Sequence, residues 1–182
     1  MGEKAVSRIL GIDPGTIQMG YGLIEASDWD DAKVMAWGVI TASSRLPLGE
    51  RLHRMYLELV ELANLHAPSE IAVEEPFVAK NVKTAMAVGQ AQGVALMAAA
   101  ARGIKAVRYT PTQVKHAVTG YGGASKEQVQ QALMLHLRLD AIPEPEDAAD
   151  ALAVALCHCQ ALRIAALLES ENPYDHIRPR NP

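Results

Sequence analysis

Two short apolar runs in this chain each end in a carboxylate. Residues 7–13 (SRILGID) close on Asp13, and residues 70–74 (EIAVE) close on Glu74. Their length and apolar content read as buried strands. A carboxylate at the end of such a run is costly to bury unless it is paired, protonated or bound to a cation. A third acidic place follows in EDAADALAVA, where Asp147 and Asp150 stand three apart near a helix start and so share a face. A fold that brings these three places to one sheet edge would relieve all of these costs with one metal site.

The rest of the chain supplies such a fold. After Asp13 the segment PGT makes a turn, and MGYGLIEA and VMAWGVITA read as two more strands around the polar loop SDWDDAK. Gly20, Gly22 and Gly38 mark bends or close approaches in this meander. Residues 47–66 carry Leu48, Leu52, Met55, Leu59 and Leu62 at steps of three and four, which predicts an amphipathic helix. Residues 81–101 predict a helix of mostly small side chains, started by Asn81 and stopped by Gly103. Its smooth surface suits either burial against the sheet or a dimer interface. Residues 104–109 are a fifth strand, and PTQVKHAV is a short helix with Pro111 in its first turn. The loop TGYGGAS leads to a helix over 125–137 capped by Ser125, and a last helix spans 146–168. The order β-β-β-α-β-α-β-α-α-α predicts an α/β fold, a mixed five-stranded sheet with helices on both faces. Pairing the first and fourth strands would set Asp13 beside Glu74.

With 182 residues, one domain over 1–168 is expected, followed by a polar, disordered tail at 169–182. No 18-residue apolar run and no leader-like segment are evident, so a cytoplasmic protein without membrane contact is expected. Cys157 and Cys159 point about 200° apart on a helix, which suits packing better than a shared zinc or a disulfide. The net charge of −4 hides an asymmetry. Residues 76–139 hold 8 Lys/Arg and one acid, while residues 1–75 hold 12 acids against 6 bases and residues 140–182 hold 8 against 3. The basic middle is either a footprint for a polyanion or a scatter of solvated lysines.

Converging carboxylates are what a pair of hard divalent ions requires for phosphodiester chemistry. Asp13, Glu74, Asp147 and Asp150 are therefore candidate metal ligands. Glu74 and Glu75 point to opposite faces of a continuing strand, and periodicity does not choose between them.

The segments ILGIDPGT with GYG, AVEEPFVAKN, GQAQGVA, TPTQVKHAVTGYGGASKEQV and DAADALAVA resemble the RuvC family of Holliday junction resolvases, over about residues 8–160. The resemblance implies an RNase H-like fold and a homodimer that cuts two strands of four-way junction DNA symmetrically. It implies Mg²⁺ or Mn²⁺ as cofactor, two per subunit, and action alongside the RuvA and RuvB branch-migration proteins. It places the catalytic acids at Asp13, Glu74, Asp147 and Asp150, choosing Glu74 over Glu75. It puts lysines near the scissile phosphate at Lys115 and Lys126, and a junction-stacking aromatic at Phe77, the only Phe in the chain. Lys80 and Lys83 follow Phe77 and are expected to contact DNA with it. GIDPGT also resembles the first phosphate loop of actin-like and sugar-kinase-like ATP-binding proteins. Those need a second strand-turn of the same kind, and the chain has none.

Overall fold

The computed structural model describes residues 6–75 and 82–170. Five strands, β1 (Ser7–Asp13), β2 (Gln18–Ala26), β3 (Lys33–Thr41), β4 (Glu70–Glu74) and β5 (Lys105–Tyr109), form one sheet in the order β3-β2-β1-β4-β5. β1 is central. It pairs antiparallel with β2 and parallel with β4, and β4 pairs parallel with β5. The expected meander and the expected β1–β4 pairing are both present. Among the described residues five α-helices accompany the sheet: α1 (Leu48–His66), α2 (Val82–Ala101), α3 (Pro111–Thr119), α4 (Lys126–Leu137) and α5 (Glu146–Ser170).

Strand alternation divides the core in two. Leu10, Ile12, Met19, Leu23, Ile71 and Val73 point to one face, where Met55 and Leu59 of α1 and a row of alanines of α2 cover them. Ile9, Ile24 and Ala72 point to the other, beneath Leu152 and Leu156 of α5. Helices α3 and α4 pack outside α5 through Val114, Val118, Val129 and Leu133. Helices therefore cover both faces, as expected.

Helix α5 lies against bare backbone. A Cβ built on Gly11 would sit 2.0 Å from the Ala151 carbonyl oxygen, and one on Gly20 would sit 1.9 Å from that of Asp147. On Gly22 it would meet Leu152. Gly11 and Gly22 face each other across β1 and β2, and Gly20 faces Asp13. Close approach, rather than chain bending, is what these glycines provide.

A polar bolt fixes the middle of α5. His158 is 2% exposed; its Nδ1 lies 2.7 Å from the Tyr109 hydroxyl and its Nε2 lies 3.0 Å from Glu70 Oε2. Glu70 only accepts, so Nε2 carries the proton and Nδ1 accepts from Tyr109. Lys105 balances the Glu70 charge at 2.9 Å. Burial lowers the His158 pKa, which keeps the ring neutral. On either side Cys157 and Cys159 are free and buried, in line with the packing role expected of them.

The helix ends follow the sequence signals. Ser125 forms a capping box with Gln128, and Thr110 forms one with Gln113 just before Pro111. Gly103 takes φ 65° after α2. Asn81, the expected start of α2, lies outside the described residues, as does the segment 171–182 of the expected tail.

Two expectations need correction. The segment SDWDDAK is not simply a polar loop. Trp29–Asp31 form a 3₁₀ turn capped by Asp28, and Trp29 is buried edge-on to His136, with ring centres 4.8 Å apart. Its acids satisfy the turn while the indole enters the core. Contrary to the expectation of no long apolar run, Val82–Ala101 and Glu146–Glu169 are long and apolar enough to cross a membrane. The apolar length of α5 is spent against the sheet. Helix α2 buries Ala91, Ala95, Ala98 and Ala99 but exposes Val82, Met86 and Met97, and nothing lies within 4 Å of a Cβ built on Gly89 or Gly93. One side of α2 is core and the other is open.

Candidate active site

Asp13 closes β1 and Glu74 closes β4. Ile12 pairs with Val73, so the next residue of each strand stands beside the other. Asp13 shares a face with Gly11 and Ile9, and Glu74 with Ala72, and that is the α5 face. Glu75 points elsewhere. Its backbone N–H donates to the Tyr109 carbonyl and its carboxylate lies 3.5 Å from Arg108 Nε. The choice that periodicity left open is thus made by which face α5 covers.

Helix α5 brings the other two acids. Its first turn crosses β2 at Gly20, in contact with Asp147, and Asp150 lies one turn on. The four carboxylates form one electrostatic cluster. Burial raises the Asp13 pKa well above the carboxylate range, and Glu74, Asp150 and Asp147 raise it further. Burial and Asp150 raise that of Glu74 also, opposed by a hydrogen bond with Asp13 and by Lys126 and Lys115. Burial thus disfavours the charged form of both Asp13 and Glu74. Burial raises Asp150 as well, against the pull of Lys126. Two anions side by side in a desolvated place cannot both ionise cheaply.

The remaining neighbours are specific. Lys126, the first residue of α4, places Nζ 2.7 Å from Asp150 Oδ2 and also pairs with Glu146. Burial disfavours its charge, but these two acids outweigh that and raise its pKa. Lys115 joins Lys126, Glu74 and Asp150 in lining a cleft of about 180 Å³, with Pro111, Val114, Val129 and Ala153 as apolar wall. Gln18, at the start of β2, donates from Nε2 to Asp147 Oδ2 at 2.5 Å. Gln92 of α2 is 8% exposed and donates to the Glu74 main-chain oxygen at 3.2 Å. A larger cleft of about 520 Å³ lies at the other end of β1, lined by Ser7, Asp28 and Arg163, and holds none of the four acids.

Six of the residues singled out from sequence thus meet: Asp13, Glu74, Asp147, Asp150, Lys115 and Lys126. Lys83 is exposed near the start of α2 and is not among the described residues that line the cleft. Phe77 and Lys80 lie outside the described residues. Sequence reasoning missed Gln18, Gln92 and Glu146. Gln18 had a faint signal, since it stands two residues before Gly20 and so on the same strand face.

The donor set is all oxygen, half-buried and mutually repelling, which suits a hard divalent cation. Among the described residues no three acidic, His or Cys groups already close into a cage. Asp147 is engaged by Gln18 and Asp150 by Lys126, while Asp13 is repelled by the other three acids. A bound cation would offset the repulsion that the Lys126 ammonium now offsets only in part.

The family model of crossover junction endodeoxyribonuclease RuvC matches residues 9–158. A crossover junction endodeoxyribonuclease RuvC of Dehalococcoides mccartyi is 50% identical over 83% of this chain and 91% of its own length. One from Roseiflexus sp. is 48% identical over 90% and 96%. Among solved structures, T. thermophilus RuvC in complex with Holliday junction substrate superposes with a TM-score of 0.83 at 34% identity, covering 87% of this chain and 96% of that one. The yeast mitochondrial Holliday junction resolvase shares the fold, with a TM-score of 0.65 at 15% identity over 92% and 82%.

Proposed function

The chain belongs to the RuvC family of crossover junction endodeoxyribonucleases, and from that membership and the cluster geometry we propose how its residues do the work. The protein is a nuclease that resolves Holliday junctions in DNA recombination and repair, with an RNase H-like fold. The single observation that carries the site assignment is the partial burial of Asp13 beside Glu74 under the first turn of α5, where burial raises both pKa values and Glu74 raises that of Asp13 further.

In this reading Asp13, Glu74, Asp147 and Asp150 would hold two divalent ions, Mg²⁺ or Mn²⁺. When bound, the ions supply an activated water and stabilise the leaving oxygen. The chain's own residues do the rest. Asp13 and Glu74, whose charged forms burial disfavours, would have to be ionised to hold the cations. Lys126 leaves Asp150 for the phosphate, where its ammonium offsets developing negative charge. Lys115, across the same cleft, fixes a second phosphate oxygen. The apolar wall of Val114 and Val129 narrows the water around them.

A four-way junction has two-fold symmetry and needs two such sites. The open side of α2, with Met86, Met97, Gly89 and Gly93, supports a homodimer in which a second copy covers it. Phe77 with Lys80 and Lys83 would meet unstacked bases and backbone. The basic stretch 76–139 favours steep salt dependence of binding. Action beside RuvA and RuvB, in the cytoplasm, fits this role.

The test is incubation of a synthetic four-way junction, and of its linear duplex arms, with protein and Mg²⁺. Paired symmetric nicks in the junction alone are expected. Cutting of the duplex arms at the same rate, or of structured RNA instead, would overturn the reading.

A further inference from the structure

Gln18 belongs to none of the chemistry assigned above, yet it makes a direct side-chain contact with Asp147, 129 residues away. The contact is built from the strand. Gln18, Gly20 and Gly22 stand two apart on β2 and face α5 together. Gly22 meets Leu152 and Gly20 meets the Asp147 main chain, so the backbone of α5 is set down on the strand. One step earlier Gln18 reaches the Asp147 side chain. The carboxylate can only accept, so the Gln18 amide NH₂ must face it, and the orientation of that amide is fixed.

We propose that Gln18 is a positioning residue for the cation site, acting through Asp147. It rests on the reading of Asp147 as a cation ligand. The amide is neutral, so it fixes the carboxylate rotamer without cancelling its charge. Lys126, by contrast, opposes Asp150 with a full positive charge. With Oδ2 engaged, Oδ1 of Asp147 is the oxygen left to face the cluster. A ligand already oriented loses less freedom when the cation arrives. Partners that orient metal-binding carboxylates typically matter by about 10–100-fold in metal affinity.

The experiment uses the full-length protein without DNA and reads Mn²⁺ binding by electron paramagnetic resonance titration. Gln18→Met keeps the side-chain length and removes the donor. It is expected to weaken Mn²⁺ binding about tenfold. The same change in an Asp147→Asn background is expected to add little, because the residue through which it acts is already altered. Unchanged Mn²⁺ affinity in Gln18→Met, or an equal loss in both backgrounds, would overturn the proposal. The second outcome would assign Gln18 a general structural role. A coupled Mn²⁺ effect in a protein that fails to cut junctions would support this inference and count against the nuclease reading alone.

Discussion

Lys126 Nζ lies 2.7 Å from Asp150 Oδ2, so the first residue of α4 closes onto the first turn of α5 at the mouth of the acidic cleft. Glu146 holds the same ammonium from the other side. The lysine is 40% exposed, so solvent screens the pair, and its contribution to stability is under about 1 kcal/mol. Its larger effect is on reactivity.

Lys126→Met is therefore expected to shift the thermal midpoint little and to slow single-turnover junction cleavage about 10²-fold or more. Rapid-quench cleavage beside a thermal melt checks both halves. A large fall in the melting temperature with cleavage intact would reverse the assignment.

Asp13→Asn removes the most strongly repelled carboxylate. Cleavage should be abolished in Mg²⁺ while junction binding in chelator persists. The metal-free protein should gain stability at pH 8, since the raised pKa marks a carboxylate whose ionisation the fold opposes. Urea denaturation in chelator measures this, and a variant that cuts at the wild-type rate would exclude Asp13 from the chemistry.

The same repulsion gives the metal-free protein a pH dependence of definite sign. Asp13 is pushed up to about 8 in the folded state and Glu74 to about 7, against roughly 4 in the unfolded chain. Where a folded carboxyl keeps its proton and the unfolded one has lost it, stability falls as pH rises. The contribution is whole below about pH 4 and is lost on passing upward through the folded values. Melting in chelator at a series of pH values should show the decline between about pH 4 and 8, and saturating Mg²⁺ should flatten it.

Gly20→Ala tests how α5 is seated. Its Cβ would fall 1.9 Å from the Asp147 carbonyl oxygen, a backbone atom that cannot turn aside. A loss of about 2–3 kcal/mol is expected by denaturation. Cleavage should drop even where the variant is fully folded, because the helix that carries Asp147 and Asp150 must shift. An alanine variant that is equally stable and active would contradict the close seating.

Much of this fold is legible in the chain because its signals are local. The strand pattern, the Ser125 cap and the Gly103 stop each involve residues within a few positions of one another. Asp13 and Glu74 were also legible as neighbours, since strand order alone sets their ends together. What stayed hidden depends on contacts between distant segments. Gln18 finds Asp147 only once α5 lies on β2, and Lys126 finds Asp150 only once α4 folds back. Trp29 stands among four polar or acidic neighbours, and its place beside His136 in the core beneath α4 and α5 is set by distant segments. Glu74 and Glu75 are equivalent by periodicity until α5 selects a face.

The bolt at His158 has a consequence for the acids at the other end of α5. Glu70, Ala72 and Glu74 stand in line on one face of β4; Glu70 grips His158, and Glu74 belongs to the cluster with Asp150. Four residues of strand span about 13 Å, and eight residues of helix span about 12 Å. Strand and helix therefore act as two matched rulers pinned at their far marks. The spacing of the acidic site is measured off from a buried histidine about two helical turns away, and any slip of α5 along its own axis would register at both ends together.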